Sequence, residues 1–379
     1  MIPIFRPWFG EEEVEAVREV LLSGWVGPGP KAEEFERRFA EYVGIKHAIA
    51  VNSCSAALFL ALKVLNVADR EVVTTPLTFV STNHAILQNG AKPVFCDIDP
   101  ETLNIDAESV ADLISEQTAA ILVMHYGGHP CEMDTILGAA GKHGIPVIED
   151  AAHACGASYK GRMAGSIGTI GCFSFHAIKN LSTGDGGMLT TNDAAVAERL
   201  RRLRWMGIGQ DTWERYERKR SSRPWDYDVS EAGYKFQMND LNAAIGLVQL
   251  AKLESGNAQR REIALQYEKG FSDLSWFQVP VERPHVKSSF HAYVGKAEDR
   301  DGLIAHLADR GIAANVYYKP NHFYSIYAPF RRPLPITESI WTNLVTLPLF
   351  PSMSESEIGQ VIEAVEGFSP NGRDTTSGI

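Results

Sequence analysis

The chain has few cysteines and no cysteine pattern. Cys54, Cys96, Cys131, Cys155 and Cys172 are scattered and odd in number. There is no CxxC pair and no Cys/His cluster, so neither a disulfide framework nor a zinc site is supported. Basic charge is also short: 36 Lys and Arg stand against 47 Asp and Glu, a net charge of −11. That argues against a nucleic-acid partner, which would want a basic face, although a local pocket on an acidic protein can still hold a phosphate. No apolar run reaches the length of a membrane span, and the opening "MIPIFRPWFGEEE" has no signal-peptide core. No internal repeat is visible. These absences point to the reducing cytoplasm, with no membrane partner.

What is present is a regular alternation. The 379 residues exceed one small core, so a large domain and a smaller one are expected. Amphipathic helices are expected at 11–22 and 31–43. Then strand-like "HAIAV", "EVVTT", "PVFCDI", "AAILVMHY" and "PVIED" alternate with helical stretches near 55–65, 80–89, 107–115 and "MDTILGAAGKHG". Short apolar strands between helices imply an α/β architecture, a mostly parallel central sheet covered by helices on both faces. Residues 196–260 read as mostly helical, interrupted by "DTWERYERKRSSRPWDYD". A final α+β segment follows. The expected division is a large domain at 1–260, a small α+β domain at 261–367 and a disordered polar tail at 368–379.

Four local features share one chemistry. In "CFSFHAIKNLSTGDGG", Lys179 follows an apolar strand and precedes small residues. A desolvated lysine amine becomes a nucleophile toward carbonyls, and Ser182, Thr183 and Gly184 would leave room for a flat ring. The alternative is a snorkelling surface lysine. In "VIEDAAHACGASYKG", Asp150 ends a strand, where functional carboxylates of α/β sheets sit, and can hold a pyridinium nitrogen protonated. Ala152 is small enough to lie under a ring, and His153 can hydrogen-bond a phenolic oxygen. The alternative is that Asp150 caps a following helix. In "NSCSAALFLAL", the Cys54 and Ser55 amides and the Ser55 hydroxyl open a helix and suit a phosphate monoester; a simple cap by Ser53 explains the same residues. In "TTPLTFVST", Phe79 lands in a loop where it can stack on a ring, or else pack in the core. Ser174 offers a further hydroxyl to phosphate. Together these supply an amine for an aldehyde, an acid for a ring nitrogen, a phosphate cradle and stacking surfaces. That is what pyridoxal 5′-phosphate (PLP) requires, with Lys179 as the Schiff-base lysine.

With those residues in place, the chain resembles the DegT/StrS family of PLP-dependent nucleotide-sugar aminotransferases. The resemblance runs from "RPWFGEEEVEAVREVLLSGWVGPGPKAEEFE" to "LPLFPSMSESEI". "EDAAHA" and "FSFHAIKN" look most like the UDP-4-amino-4-deoxy-L-arabinose synthase type. The resemblance implies fold type I, an amino group moved from L-glutamate to a nucleotide-linked keto sugar, and amination at C4 of a 4-keto-6-deoxyhexose or pentose. It also implies a homodimer, in which "GYKFQMNDLNAAIGLVQLAKLE" reaches a neighbouring subunit's PLP phosphate. Here Lys235 stands where many relatives carry asparagine and Gln237 where many carry arginine. Tyr317, Tyr318 and His322 of "NVYYKPNHFY" are candidates for a substrate wall. Arg218, Lys219, Arg220 and Arg223 of "RYERKRSSR" offer cations for a diphosphate, or form a solvated charged loop. The family's dehydratases replace the lysine with histidine, so Lys179 argues against that branch. Rival readings are an aminotransferase for a keto-cyclitol or another non-nucleotide acceptor, and a catalytically idle relative that binds or regulates.

Overall fold

The structure, a computed structural model, describes residues 1–209 and 227–370. Arg218, Lys219, Arg220 and Arg223 lie outside the described residues, as does the expected tail from 371 onward. Helices α1 (Glu11–Ser23) and α2 (Pro30–Val43) form where the amphipathic pattern places them. Three glutamates open α1 at the positive end of its dipole, and proline opens α2, where its missing N–H costs nothing.

The central sheet has seven strands. They are β1 (His47–Val51), β2 (Glu71–Thr74), β3 (Lys92–Phe95), β4 (Thr118–Met124), β5 (Val147–Asp150), β8 (Ile170–Ser174) and β9 (Gly187–Thr191), in the order β1-β9-β8-β5-β4-β2-β3. The numbers β6 and β7 belong to the short strands Ser158–Tyr159 and Arg162–Met163, which pair outside this sheet. Strands β3, β2, β4, β5 and β8 pair in parallel. Helices α3 (Cys54–Val64), α4 (Val80–Gln88) and α6 (Ala194–Arg204) cover one face; α2, α5 (Met133–Gly141) and the long helix Asp240–Phe271 cover the other. Burial on both faces explains why β4 is buried throughout and apolar after Thr118.

One expectation changes. The helix expected near 107–115 is a single 3-10 turn, Ala111–Leu113. Its bonds run three residues back, as from Leu113 N to Val110 O, and the chain turns toward β4 before an α-helical nucleus can extend. Strand β9 runs antiparallel to both β8 and β1. A parallel pair would need a long crossover, but β8 and β9 are joined by the non-helical loop 175–186. That loop carries Lys179.

The C-terminal residues build a second sheet from β10 (Phe277–Gln278), β12 (Tyr293–Ala297) and β13 (Leu344–Leu347); β11 (Val286–Lys287) pairs with β6 instead. Helices Arg300–Asp309 and Glu355–Glu366 pack on it around Tyr267, Phe271, Tyr293 and Phe350. The 32-residue helix Asp240–Phe271 runs through position 260 without a break, and Ile2 joins this C-terminal core.

Candidate active site

The parallel strands end at one edge of the sheet, and a cleft of about 810 Å³ opens there. Asp150 is the last residue of β5 and Ser174 the last of β8. Cys54 and Ser55 begin α3, which starts where β1 ends. All four line the cleft with Lys179, Ala152, His153 and Phe79. The fold therefore brings together each residue expected at 54, 55, 79, 150, 152, 153, 174 and 179.

No helix follows Asp150, so the capping alternative fails. Its Oδ1 accepts from Ala152 N at 3.1 Å and its Oδ2 from Thr82 Oγ1 at 2.7 Å. Burial raises the Asp150 pKa above the usual carboxylate value, and those two hydrogen bonds act against the rise. Lys179 keeps some exposure because it faces the cleft, yet the walls desolvate its ammonium. Burial brings its pKa down to about 8, with Cys54 and Asp150 opposing the shift. Its place in the cleft wall and this lowered pKa differ from those of a snorkelling surface lysine. Ser53 caps α3 through Ala56 N at 3.1 Å, so the cap and the cleft-lining start of the helix coexist.

The small residues after Lys179 have a different purpose from the one expected. Ser182 and Thr183 are buried away from the cleft, and only Asp185 of the run lines it. Gly184 takes φ +80°, a turn suited to glycine. A Cβ on Gly187 would lie 2.5 Å from the Ser53 carbonyl carbon, so this glycine lets β9 pass beneath the start of α3.

His153 is buried, its Nε2 3.0 Å from Tyr318 Oη. Its Nδ1 has no partner among the described residues. Phe79 is 57% exposed, so the core-packing alternative fails; its ring centroid lies 6.0 Å from that of Tyr318. Tyr317 and Tyr318 stack at 4.6 Å on the outer wall, beside Tyr324 and Trp341. His322 is not among them. It is buried against Phe95 and Phe323, with Nε2 3.4 Å from Glu338. Lys235 and Gln237 also lie outside this chain's own cleft: Lys235 Nζ meets Gln237 Oε1 at 3.1 Å and covers the Trp205 ring.

Several site residues escape the sequence reading, Tyr324 and Trp341 of the wall among them. Thr82 holds Asp150. His291 places Nε2 3.4 Å from Lys179 Nζ. Asn83 and Asn321 tie the wall to the sheet: Asn83 Nδ2 donates to Asn321 Oδ1 at 2.9 Å, and Asn321 Nδ2 to Thr78 O at 2.7 Å. Asparagine at 83 and 321 carries no local signal. The residue at 82 sits in the quoted "TTPLTFVST", and a hydroxyl one helical turn from Phe79 was the available hint.

Residues 7–366 match the sequence pattern of the DegT/DnrJ/EryC1/StrS aminotransferase family. This chain belongs to that family. It is 42% identical to the spore coat polysaccharide biosynthesis protein SpsC of Bacillus subtilis, over 96% of each chain. The sugar aminotransferase CalS13 of Micromonospora echinospora superposes with a TM-score of 0.89 at 33% identity, covering 97% of this chain and 100% of that one. Spr1654 of Streptococcus pneumoniae, in its PMP form, superposes at 0.90 with 31% identity, covering 96% and 98%, and a PLP form of it is also solved. The fold is that of the fold type I aminotransferases, and the chain is a PLP-dependent transaminase. The residues fit the cofactor: an amine of lowered pKa, a buried carboxylate, and a buried His153 Nδ1 without a partner share one cleft.

Proposed function

We propose that this chain moves an amino group from L-glutamate to a keto sugar carried on a nucleoside diphosphate, at C4 of a 4-keto-6-deoxyhexose or pentose. The observation that carries the reading is Lys179 and Asp150 in one cleft whose outer wall is aromatic. When bound, PLP supplies an exchangeable carbonyl and an electron sink. Lys179 would hold the cofactor covalently and, when free, would move protons at its Nζ. Asp150 would hold a proton on the ring nitrogen, and His153 would hydrogen-bond the phenolic oxygen. Cys54, Ser55 and Ser174 serve the phosphate. Tyr317, Tyr318, Tyr324 and Trp341 present flat faces of the kind that pack on sugar C–H faces or a nucleobase. Arg300 and Lys319 line the same cleft and offer cations to a diphosphate. The likeness to SpsC, a spore coat polysaccharide biosynthesis protein, and to the sugar aminotransferase CalS13 supports a sugar acceptor. The C4 position rests on the likeness of "EDAAHA" and "FSFHAIKN" to 4-aminating relatives.

The reading includes a homodimer with shared sites. Lys235 and Gln237 stand on the surface, ready for a neighbour's phosphate, and Phe9, Val14, Leu21 and Leu22 leave an apolar surface along α1 that a second copy would bury. Sedimentation of active enzyme tests this, and a competent monomer would contradict it.

The chemistry is tested by adding glutamate to holoenzyme and following the cofactor's absorption, then screening keto-sugar nucleotides for its return. Product NMR locates the nitrogen. A 3-amino product, or faster turnover with a keto-cyclitol than with any sugar nucleotide, would overturn the acceptor assignment and leave the transaminase standing.

A further inference from the structure

We infer that His291 is a positioning residue for Lys179: a neutral imidazole that takes one N–H of the lysine amine and thereby aims the amine's lone pair into the cleft. The inference rests on the assignment of Lys179 above.

The argument is one of hydrogen-bond direction. Asn180 Nδ2 donates to Asn257 Oδ1 at 2.7 Å and to Ser289 O at 2.8 Å. Both amide hydrogens are thereby used, so the Asn180 oxygen faces the other way. That oxygen lies 3.1 Å from His291 Nδ1 and can only accept, so Nδ1 carries the proton. Nε2 is then left with its lone pair, 3.4 Å from Lys179 Nζ. Lys179 must be the donor. A neutral amine that gives one N–H to His291 keeps its own lone pair free for the open side, and the open side is the cleft.

The surroundings keep the ring neutral. His291 is 5% exposed, and its ring centroid lies 4.2 Å from that of His153, tilted by 37°. The groups that face it are Lys179 from the 175–186 loop, His153 from the segment after β5 and Arg260 from the long helix. Burial first, and these cationic or titratable neighbours next, hold its pKa well below the usual value. Lys179 itself is faced by Cys54 and Asp150, which favour its charged form. Because the imidazole is a weaker base than the amine, His291 does not take the lysine's proton; it fixes where the amine points.

The test compares His291→Phe, which has no acceptor, with His291→Gln, whose side-chain oxygen can replace Nε2. In the glutamate half-reaction, His291→Phe is expected to lose about tenfold in rate, the equivalent of one hydrogen bond of roughly 1.4 kcal/mol. The KM for the sugar nucleotide should not move. His291→Gln should recover most of the rate. A second readout needs no cofactor: competitive trinitrophenylation of the cofactor-free protein across pH, with peptide mapping, gives the Lys179 titration. Loss of an acceptor for the ammonium should shift that titration to lower pH in His291→Phe and leave it near wild type in His291→Gln. Asn180→Leu, which leaves both side chains in place but releases the tautomer, should slow the half-reaction in the same direction. Wild-type rate and titration in His291→Phe, equal losses in Phe and Gln, or a wild-type rate in Asn180→Leu would each overturn the inference. Failure of the underlying assignment shows separately: borohydride reduction of wild-type holoenzyme would then leave the phosphopyridoxyl mass on a lysine other than Lys179.

Discussion

Thr82 Oγ1 donates to Asp150 Oδ2 at 2.7 Å, joining the first turn of α4 to the carboxyl end of β5. The hydroxyl favours the ionised carboxylate at a position where burial disfavours it. Removing it in Thr82→Val should therefore raise the Asp150 pKa further. A raised carboxylate pKa means the charged form is lost at a higher pH as acid is added. The acid limb of the turnover profile should move upward by about one pH unit, the equivalent of one hydrogen bond to a charged group. Thr82→Ser should restore the wild-type limb. An unmoved limb in Thr82→Val would separate Asp150 from turnover.

Asp150→Asn keeps the shape and can still bond with Thr82, so the fold should survive. A neutral amide cannot hold a proton on a pyridinium nitrogen. Turnover should fall on the order of 10³-fold, about 4 kcal/mol in barrier. Near-normal turnover with PLP bound would refute the role of Asp150.

Lys179 gives a pH test in the cofactor-free protein. With its pKa lowered to about 8, the free amine accumulates above that pH and is scarce below it. The rate of PLP capture should climb through pH ~8 and level off, whereas an ordinary lysine would keep climbing to about 10.4. The same depression penalises the folded apo form below pH ~8 and relaxes as pH rises toward the ordinary value. Because capture uses the free amine, PLP should raise the melting temperature more above pH ~8 than on the acid side. Capture kinetics that rise only near pH 10 would show that Lys179 is not desolvated.

The parts of the site that could be read from sequence were those written into single short stretches. A strand ending in Asp150, a small residue two positions on and a lysine after an apolar strand each announce a position at the rim of an α/β sheet. Local pattern also placed α1, α2, α3 and the parallel strands. What escaped is long-range. Thr82 and Asp150 are 68 positions apart, and Lys179 and His291 are 112 apart. No local period encodes those pairings. His322 shows the converse failure. It lies in the right segment, but the 3-10 turn Asn321–Phe323 points Asn321 toward Thr78 and leaves His322 against Phe95. The run after Lys179 differs in the same way: Ser182, Thr183 and Gly184 read as room for a ring but lie outside the cleft, and farther on, at Gly187, the backbone itself takes the space.

That last point can be tested at Gly187. Its φ is not in the left-handed region, so alanine carries no torsional penalty there. The obstacle is contact: an added Cβ would lie 2.5 Å from Ser53 C, 2.6 Å from Ser53 O and 2.7 Å from Cys54 N. These are backbone atoms and cannot swing aside as a flexible side chain could. Either β9 leaves β1 or the start of α3 lifts from the sheet. Gly187→Ala should cost about 1–3 kcal/mol, in line with overpacking elsewhere. It should also weaken PLP binding, because Cys54 and Ser55 would move with the helix, while Asp150 and Lys179 sit on other elements and keep their places. Melting temperature and PLP titration of Gly187→Ala, set beside Gly184→Ala, separate the two effects. A Cβ on Gly184 meets nothing within 4 Å, and its cost comes from φ +80° alone. Gly184→Ala should lose stability with little change in cofactor affinity, whereas Gly187→Ala should lose both. If Gly187→Ala melts and binds PLP like the wild type, the start of α3 is not held by this contact and the phosphate role of Cys54 and Ser55 loses its support.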